Sequence, residues 1–249
     1  MITALPPLDA GGWALVLIAV VLAGLVRGFS GFGTAMIYLP LAGIVLDPFI
    51  LITAMVVMDL IGPLPNVPRA VRDGDMGQVG LLAAGMLIGL PFGVAILTVI
   101  DAETFRWLVS LLIFTLLVVL ISGARYRGPS DRRAVMGAGF LGGLAGGAVG
   151  LAGPPVIMFY MASDLVVAKL RANILLILVL TDVALLVAYG FSGKLLISGM
   201  VLGAVFAGPY LLANIIGARA FDPAREGMYR GAAYAIIAVS ALLGLPLFS

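Results

Sequence analysis

At 249 residues the chain is 63% hydrophobic and 10% charged, with a net charge of +2 and a mean hydropathy of +1.22. Soluble domains carry about 25% charged residues, so a soluble fold is excluded and a polytopic bundle of membrane-spanning helices is expected. With no cysteine and no histidine, disulfides, thiol chemistry, the commonest metal ligands and the usual proton-switching side chain are excluded as well.

The apolar runs show no alternation of polarity, which separates them from the strands of a membrane barrel. The small basic excess reads as loop cations facing anionic lipid, with no role in binding nucleic acid. No metal and no cofactor is expected. The first twelve residues, MITALPPLDAGG, carry no basic stretch ahead of the apolar run, so no cleaved signal peptide is expected.

In chain order, an apolar region at 13–46 comes first, broken near its middle by Gly28, Gly31 and Gly33. Spans at 49–65, 79–100 and 107–122 follow. A second broken region at 134–163, interrupted by Gly147, Gly150 and Gly153, precedes spans at 173–190, 195–217 and 231–247. Each broken region is either one long crossing or a hairpin that returns to the side it entered, and charge decides between them. If 134–163 is a hairpin, Arg69, Arg72, Arg125, Arg127, Arg132, Arg133, Lys169, Arg171, Arg219, Arg225 and Arg230 share one side, with Arg106 and Lys194 on the other. If it is a single crossing, the same residues divide almost evenly. The positive-inside rule selects the hairpin; applied to both regions, it puts both termini outside the cytoplasm. The second hairpin's arms, about 14 and 11 residues, reach only ~21 and ~16 Å against a hydrocarbon core of ~30 Å, so its tip is expected near mid-membrane.

The two halves match. Gly24, Gly28 and Gly31 align with Gly143, Gly147 and Gly150 at an offset of 119, Asp59 with Asp182 at 123, and Gly85 and Pro91 with Gly203 and Pro209 at 118. Residues 1–123 and 124–249 are therefore read as two repeats within one all-α membrane domain. Each is a broken or re-entrant helical hairpin followed by three transmembrane helices. Three is odd, so the second repeat is inverted and the tips are expected to meet at the midplane, as at the binding sites of secondary transporters. Alternatively, the glycines serve close helix packing.

The second arm of each hairpin starts at the tip, near Gly33–Thr34 and at Gly153–Pro154–Pro155. A helix start offers unpaired N–H groups and partial positive charge to an anion. The candidate substrate contacts are therefore Arg27, Gly28, Ser30, Gly31, Gly33 and Thr34 in the first tip, and Gly150, Gly153 and Pro154 in the second. Glycines admit close approach, the hydroxyls donate, and Arg27 adds a full charge. Arg27 alternatively pairs with Asp59 or snorkels. Asp59 and Asp182, inside apolar spans, are candidates for proton coupling or for hydrogen bonding across helices. Asn173 is expected to cap its helix. No nucleophile–base set, acid pair or metal cluster points to an enzyme, and no phosphate-binding loop points to ATP drive.

The stretches GFSGFGTAMIYLPL and GGAVGLAGPPVIMFY make the chain resemble the TauE/SafE sulfite-exporter family over nearly its whole length. The resemblance implies a bacterial inner-membrane carrier for sulfite, sulfoacetate or another small organosulfur anion. Phe32 and Thr34 replace glycines often seen in that family's first motif. Taken with the two tips and Arg27, the expectation is a secondary transporter that exports a small sulfur-containing or carboxylate anion by alternating access. The other reading is an anion channel, which would conduct without proton stoichiometry. A homodimer is compatible with either.

Overall fold

The computed structural model describes residues 5–122, 131–160 and 167–247. The regular elements among them are all helical. In chain order they are α1 (Ala10–Ser30), α2 (Thr34–Ala42), α3 (Pro48–Ile61), α4 (Val67–Asp73), α5 (Met76–Val99), α6 (Ala102–Ser122), α7 (Arg132–Val149), α8 (Gly153–Tyr160), α9 (Val167–Phe191), α10 (Ile197–Ala220) and α11 (Glu226–Gly244). Among the described residues α1, α5, α6, α9, α10 and α11 are long and apolar enough to cross a membrane. This is a multi-pass membrane protein. The expected repeat boundary at 123/124, together with Arg125 and Arg127, lies outside the described residues.

Acidic residues set many of the helix starts. Asp9, Asp75, Asp101 and Asp131 each accept a hydrogen bond from the backbone N–H three residues on, at 2.8, 3.1, 2.7 and 2.8 Å. These bonds satisfy amides that have no acceptor within α1, α5, α6 and α7. Asp47 and Asp222 accept from the N–H two residues on, at Phe49 and Ala224. Against this pattern Asp59 and Asp182 stand apart, because they lie inside α3 and α9.

Two expectations need correction. The span expected at 49–65 is helical only to Ile61. Prolines at 63, 65 and 68 interrupt the α-helical bonding pattern, and the chain passes through a 3-10 turn at Leu64–Asn66 into α4. At 14 residues, α3 is about 21 Å long and falls short of a hydrocarbon core. Asn173, expected as a cap, sits inside α9 and is fully buried. Its side chain accepts from the Asp75 N–H at 2.8 Å and donates to the Tyr160 hydroxyl at 3.0 Å. It therefore ties the start of α5 and the end of α8 to α9.

The chain forms two compact units, and each draws on both halves of the sequence. The first holds Met1–Asp59, Asp101–Ile121 and Leu195–Ser249; the second holds Leu60–Ile100 and Ser122–Lys194. In the first, α1 runs parallel to α10 at backbone contact. A Cβ added at Gly24, Gly28 or Gly217 would lie 2.6, 2.1 or 2.2 Å from the carbonyl oxygens of Tyr210, Asn214 and Leu25. Small residues allow this closeness, and the dispersion contacts it brings hold membrane helices together. α2 packs on α11, with Gly244 against Pro40. Arg106 of α6 donates to the carbonyls of Gly244 and Leu245 at 3.0 and 3.3 Å, so it caps the end of α11.

In the second unit α5 and α7 share a longer seam. Gly85, Gly89 and Gly93 face the carbonyls of Met136, Phe140 and Leu144, where a Cβ would come within 2.1, 2.2 and 2.3 Å. Gly139, Gly143 and Gly147 face those of Leu82, Met86 and Leu90 at 2.2, 2.2 and 2.5 Å. Two ladders of every-fourth glycine interleave, and any side chain there would push the helices apart. α7 runs for 18 residues from Arg132, longer than the 14-residue arm expected.

Candidate functional site

The first break is built by glycine. Gly31 ends α1 at φ 78°, and its N–H bonds the Arg27 carbonyl at 2.8 Å; Gly33 precedes α2 at φ 107°. Both values lie in the left-handed region that glycine enters without steric cost. The Ser30 hydroxyl lies 2.6 Å from the Val26 carbonyl and 2.7 Å from that of Phe32, and it accepts from the Phe32 N–H at 3.3 Å. Its single proton is engaged in closing this turn. Gly28 is turned toward α10, so its small size serves helix packing.

The first tip has a definite level along its neighbour α10. Gly28 packs against Ala218, close to the end of α10 at Ala220. The Phe29 ring packs on Tyr229, 5.5 Å between centroids, and Tyr229 packs on Phe221 just beyond α10, at 5.3 Å. The break is therefore level with the last turn of α10. The cause is the length of α1, whose 21 residues span about 31 Å before the chain turns.

The polar centre lies deeper. Arg27 Nη1 is 3.9 Å from Asp59 Oδ2. The Tyr210 hydroxyl donates to Asp59 Oδ1 at 2.5 Å, and Thr34 Oγ1 is 2.7 Å from the same hydroxyl. A phenol has one proton. Since Tyr210 gives it to Asp59, Thr34 is the donor to Tyr210. The centre thus joins α1, α2, α3 and α10, with Tyr210 near the middle of α10. Thr34 and Tyr210 are buried, and the Arg27 and Asp59 side chains keep 21% and 16% of their surface. Most of the hydration of both charged groups is therefore gone.

Charge explains the grouping. Arg27 lies in the last turn of α1, where a helix end carries partial negative charge and favours a cation. Asp59 lies near the end of α3, where the same partial charge opposes it, so Arg27 and Tyr210 supply what the position lacks. Two unit charges about 4 Å apart attract by ~4 kcal/mol at an effective dielectric of 20, before the cost of desolvation. Of the two roles expected for Arg27, the ion pair with Asp59 is present.

The second unit repeats the backbone device with different side chains. Gly150 ends α7 at φ 74°, and its N–H bonds the Gly146 carbonyl at 2.9 Å. α8 then starts at Gly153, followed by Pro154 and Pro155. Prolines have no N–H, so this helix start offers fewer amides than α2 does. At the offsets expected from the sequence, Gly146 stands opposite Arg27, Gly153 opposite Thr34 and Phe92 opposite Tyr210. Each polar member other than Asp59 thus meets a residue with no polar side chain. Gly146 packs on Ala152 and Thr181. Asp182, next to Thr181 on α9, is half-buried.

With this geometry in hand, residues 16–243 match the family described as Sulfite exporter TauE/SafE. The chain belongs to the TauE/SafE family. A relative from Cupriavidus necator, named probable sulfite/organosulfonate exporter TauE, is 26% identical over 227 residues, which cover 88% of this chain and 89% of the relative. No solved structure matches. As a TauE/SafE protein the chain is a membrane transporter. Of the residues singled out from sequence, Arg27, Thr34 and Asp59 share one centre in this transporter's first unit. Gly150, Gly153, Pro154 and Asp182 lie in the second. Tyr210, the hub of the first centre, went unnoticed, because one aromatic in an apolar run looks like packing. The available signal was its place beside Pro209.

Proposed function

We propose that the chain is a secondary transporter that exports a small sulfur-containing anion, such as sulfite, sulfoacetate or a related organosulfonate or carboxylate, by alternating access. The observation that carries this reading is a guanidinium held with a carboxylate, a phenol and a threonine hydroxyl inside a broken-helix unit, in a chain of a sulfite-exporter family. Arg27 is the anion's cationic partner, and the amides at the start of α2 lie one turn away. Gly31 leaves that approach open, since a Cβ there would meet nothing within 4 Å. Gly150, Gly153 and Pro154 give the second unit a helix start of the same kind with fewer donors. Asp59 and Asp182 are the groups through which protons couple to transport. The inverted repeat, the inner-membrane location and the extracytoplasmic termini complete the reading, supported by the matched glycines and the loop cations.

The test is flux in proteoliposomes of the purified chain, with sulfite, sulfoacetate, other organosulfonates and small carboxylates offered in turn under an imposed pH gradient. Saturable flux of at least one of them, responsive to the gradient, is expected. Indifference to all of them overturns the reading, and unitary conductance without proton stoichiometry replaces the carrier with a channel.

A further inference from the structure

Resting on that reading, we propose that Asp59 is a built-in competitor of the transported anion for Arg27, so that one proton is taken up by Asp59 for each anion bound. Tyr210 is the positioning residue that holds Asp59 in the competing pose. The argument is one of charge conservation in a mostly buried centre. With no anion bound, the charges of Arg27 and Asp59 sum to zero. An anion added beside Arg27 with Asp59 still ionised would leave one uncompensated negative charge largely removed from water, a costly state. Protonation of Asp59 restores zero: the carboxylate becomes a carboxylic acid, Arg27 exchanges one anionic partner for another, and the proton comes from solvent. On release the steps reverse, and the proton leaves with the anion.

The geometry separates the two functions of the carboxylate. Oδ2 faces Arg27, while Oδ1 accepts the Tyr210 proton, and Thr34 in turn donates to Tyr210. Tyr210 and Thr34 hold the carboxylate in place, so the anion competes against Asp59 together with its hydrogen bonds. Other titratable groups on the surrounding helices lie away from this point. On α10, Arg219 is nine residues past Tyr210, about 13 Å along the axis. On α3, Asp47 precedes the helix at the far end from Asp59. On α6, Arg106 is bonded to the end of α11. On α11, the Tyr229 hydroxyl donates to the Ala220 carbonyl and Arg230 to Tyr234. Tyr38, one turn after Thr34 on α2, has a buried hydroxyl with no hydrogen-bond partner among the described residues.

The experiment is calorimetric binding of methanesulfonate, a strong-acid anion that does not itself titrate, to the purified full chain at a series of pH values. Buffers of different ionisation enthalpy report the protons exchanged. In the unsubstituted protein, affinity should weaken about tenfold per pH unit above the midpoint of the binding curve, with about one proton taken up per anion. Asp59→Asn should bind with no proton uptake and no dependence on pH. Tyr210→Phe, which serves if the asparagine variant does not fold, should move the midpoint to higher pH and keep the acid-limit affinity. A purely structural role for Tyr210 would lower that limit instead, and would overturn its assignment. Binding that is flat with pH in the unsubstituted protein overturns the competition while leaving the anion site intact. So does an Asp59→Asn variant that folds but fails to bind, as Arg27→Ala should. Silence toward methanesulfonate, sulfite and sulfoacetate at every pH removes the anion site itself, and the competition with it.

Discussion

The two broken helices of this protein share a backbone and differ in chemistry. Each ends its first arm on a left-handed glycine, Gly31 or Gly150, and each first arm lies on a neighbouring helix through glycines that admit no side chain. Around the first break, Arg27, Thr34, Asp59 and Tyr210 form one hydrogen-bonded centre. Around the second, glycine and phenylalanine stand at the matching positions, and two prolines remove amides from the helix start. Two turns of the same backbone form are thus set among different side chains. Anion chemistry is therefore expected to depend on the first unit far more than on the second.

The sharpest way to break the comparison is Arg27→Ala. Removing one member of a partly buried charge pair typically costs about 2–5 kcal/mol, so anion affinity should fall by roughly 30-fold to several thousand-fold. Tracer binding to membranes containing equal amounts of each protein measures it. Loss of the protein from the membrane would instead assign Arg27 to folding. Next in size is Asn173→Ala in the second unit. It leaves the Asp75 amide and the Tyr160 hydroxyl without their partner, a loss of about 1–3 kcal/mol. A lower thermal midpoint in detergent with unchanged anion affinity would mark this second polar group as structural.

Smaller still are Gly31→Ala and Gly150→Ala. Each forces an alanine into the left-handed region for about 1 kcal/mol, and similar drops in thermal midpoint would show that the two turns are equivalent as backbone. The smallest effect is expected at Asp101, the exposed cap of α6. Hydrogen bonds from the Thr104 side chain and backbone hold its carboxyl below the usual range. A depressed carboxyl stabilises the fold above its unfolded titration, and that contribution disappears as pH falls through the folded one. Asp101→Asn, which keeps a capping oxygen, should lower the thermal midpoint slightly near neutrality and flatten that part of the acid limb, so that the two proteins converge at low pH.

Much of this was readable from the chain itself. Hydropathy located the apolar segments, and the glycine runs located both breaks, because steric demands on glycine act within a few residues. Arg27 and Asp59 announced themselves as charges in apolar surroundings. What could not be read depended on partners far away in sequence. Tyr210 meets Thr34 across 176 residues and Asp59 across 151, and nothing in its local run separates it from a packing aromatic. Asn173 looked like a cap because it opens an apolar stretch, yet its bonds go to Asp75 and Tyr160 and its helix begins earlier.

The glycine seam of α5 and α7 has a mechanical meaning. Two rods touching backbone to backbone over three successive turns behave as a single beam, since neither can bow or rotate without driving carbonyl oxygens into the other's Cα atoms. Any displacement of the Gly150 turn must therefore take α5 with it as a lever.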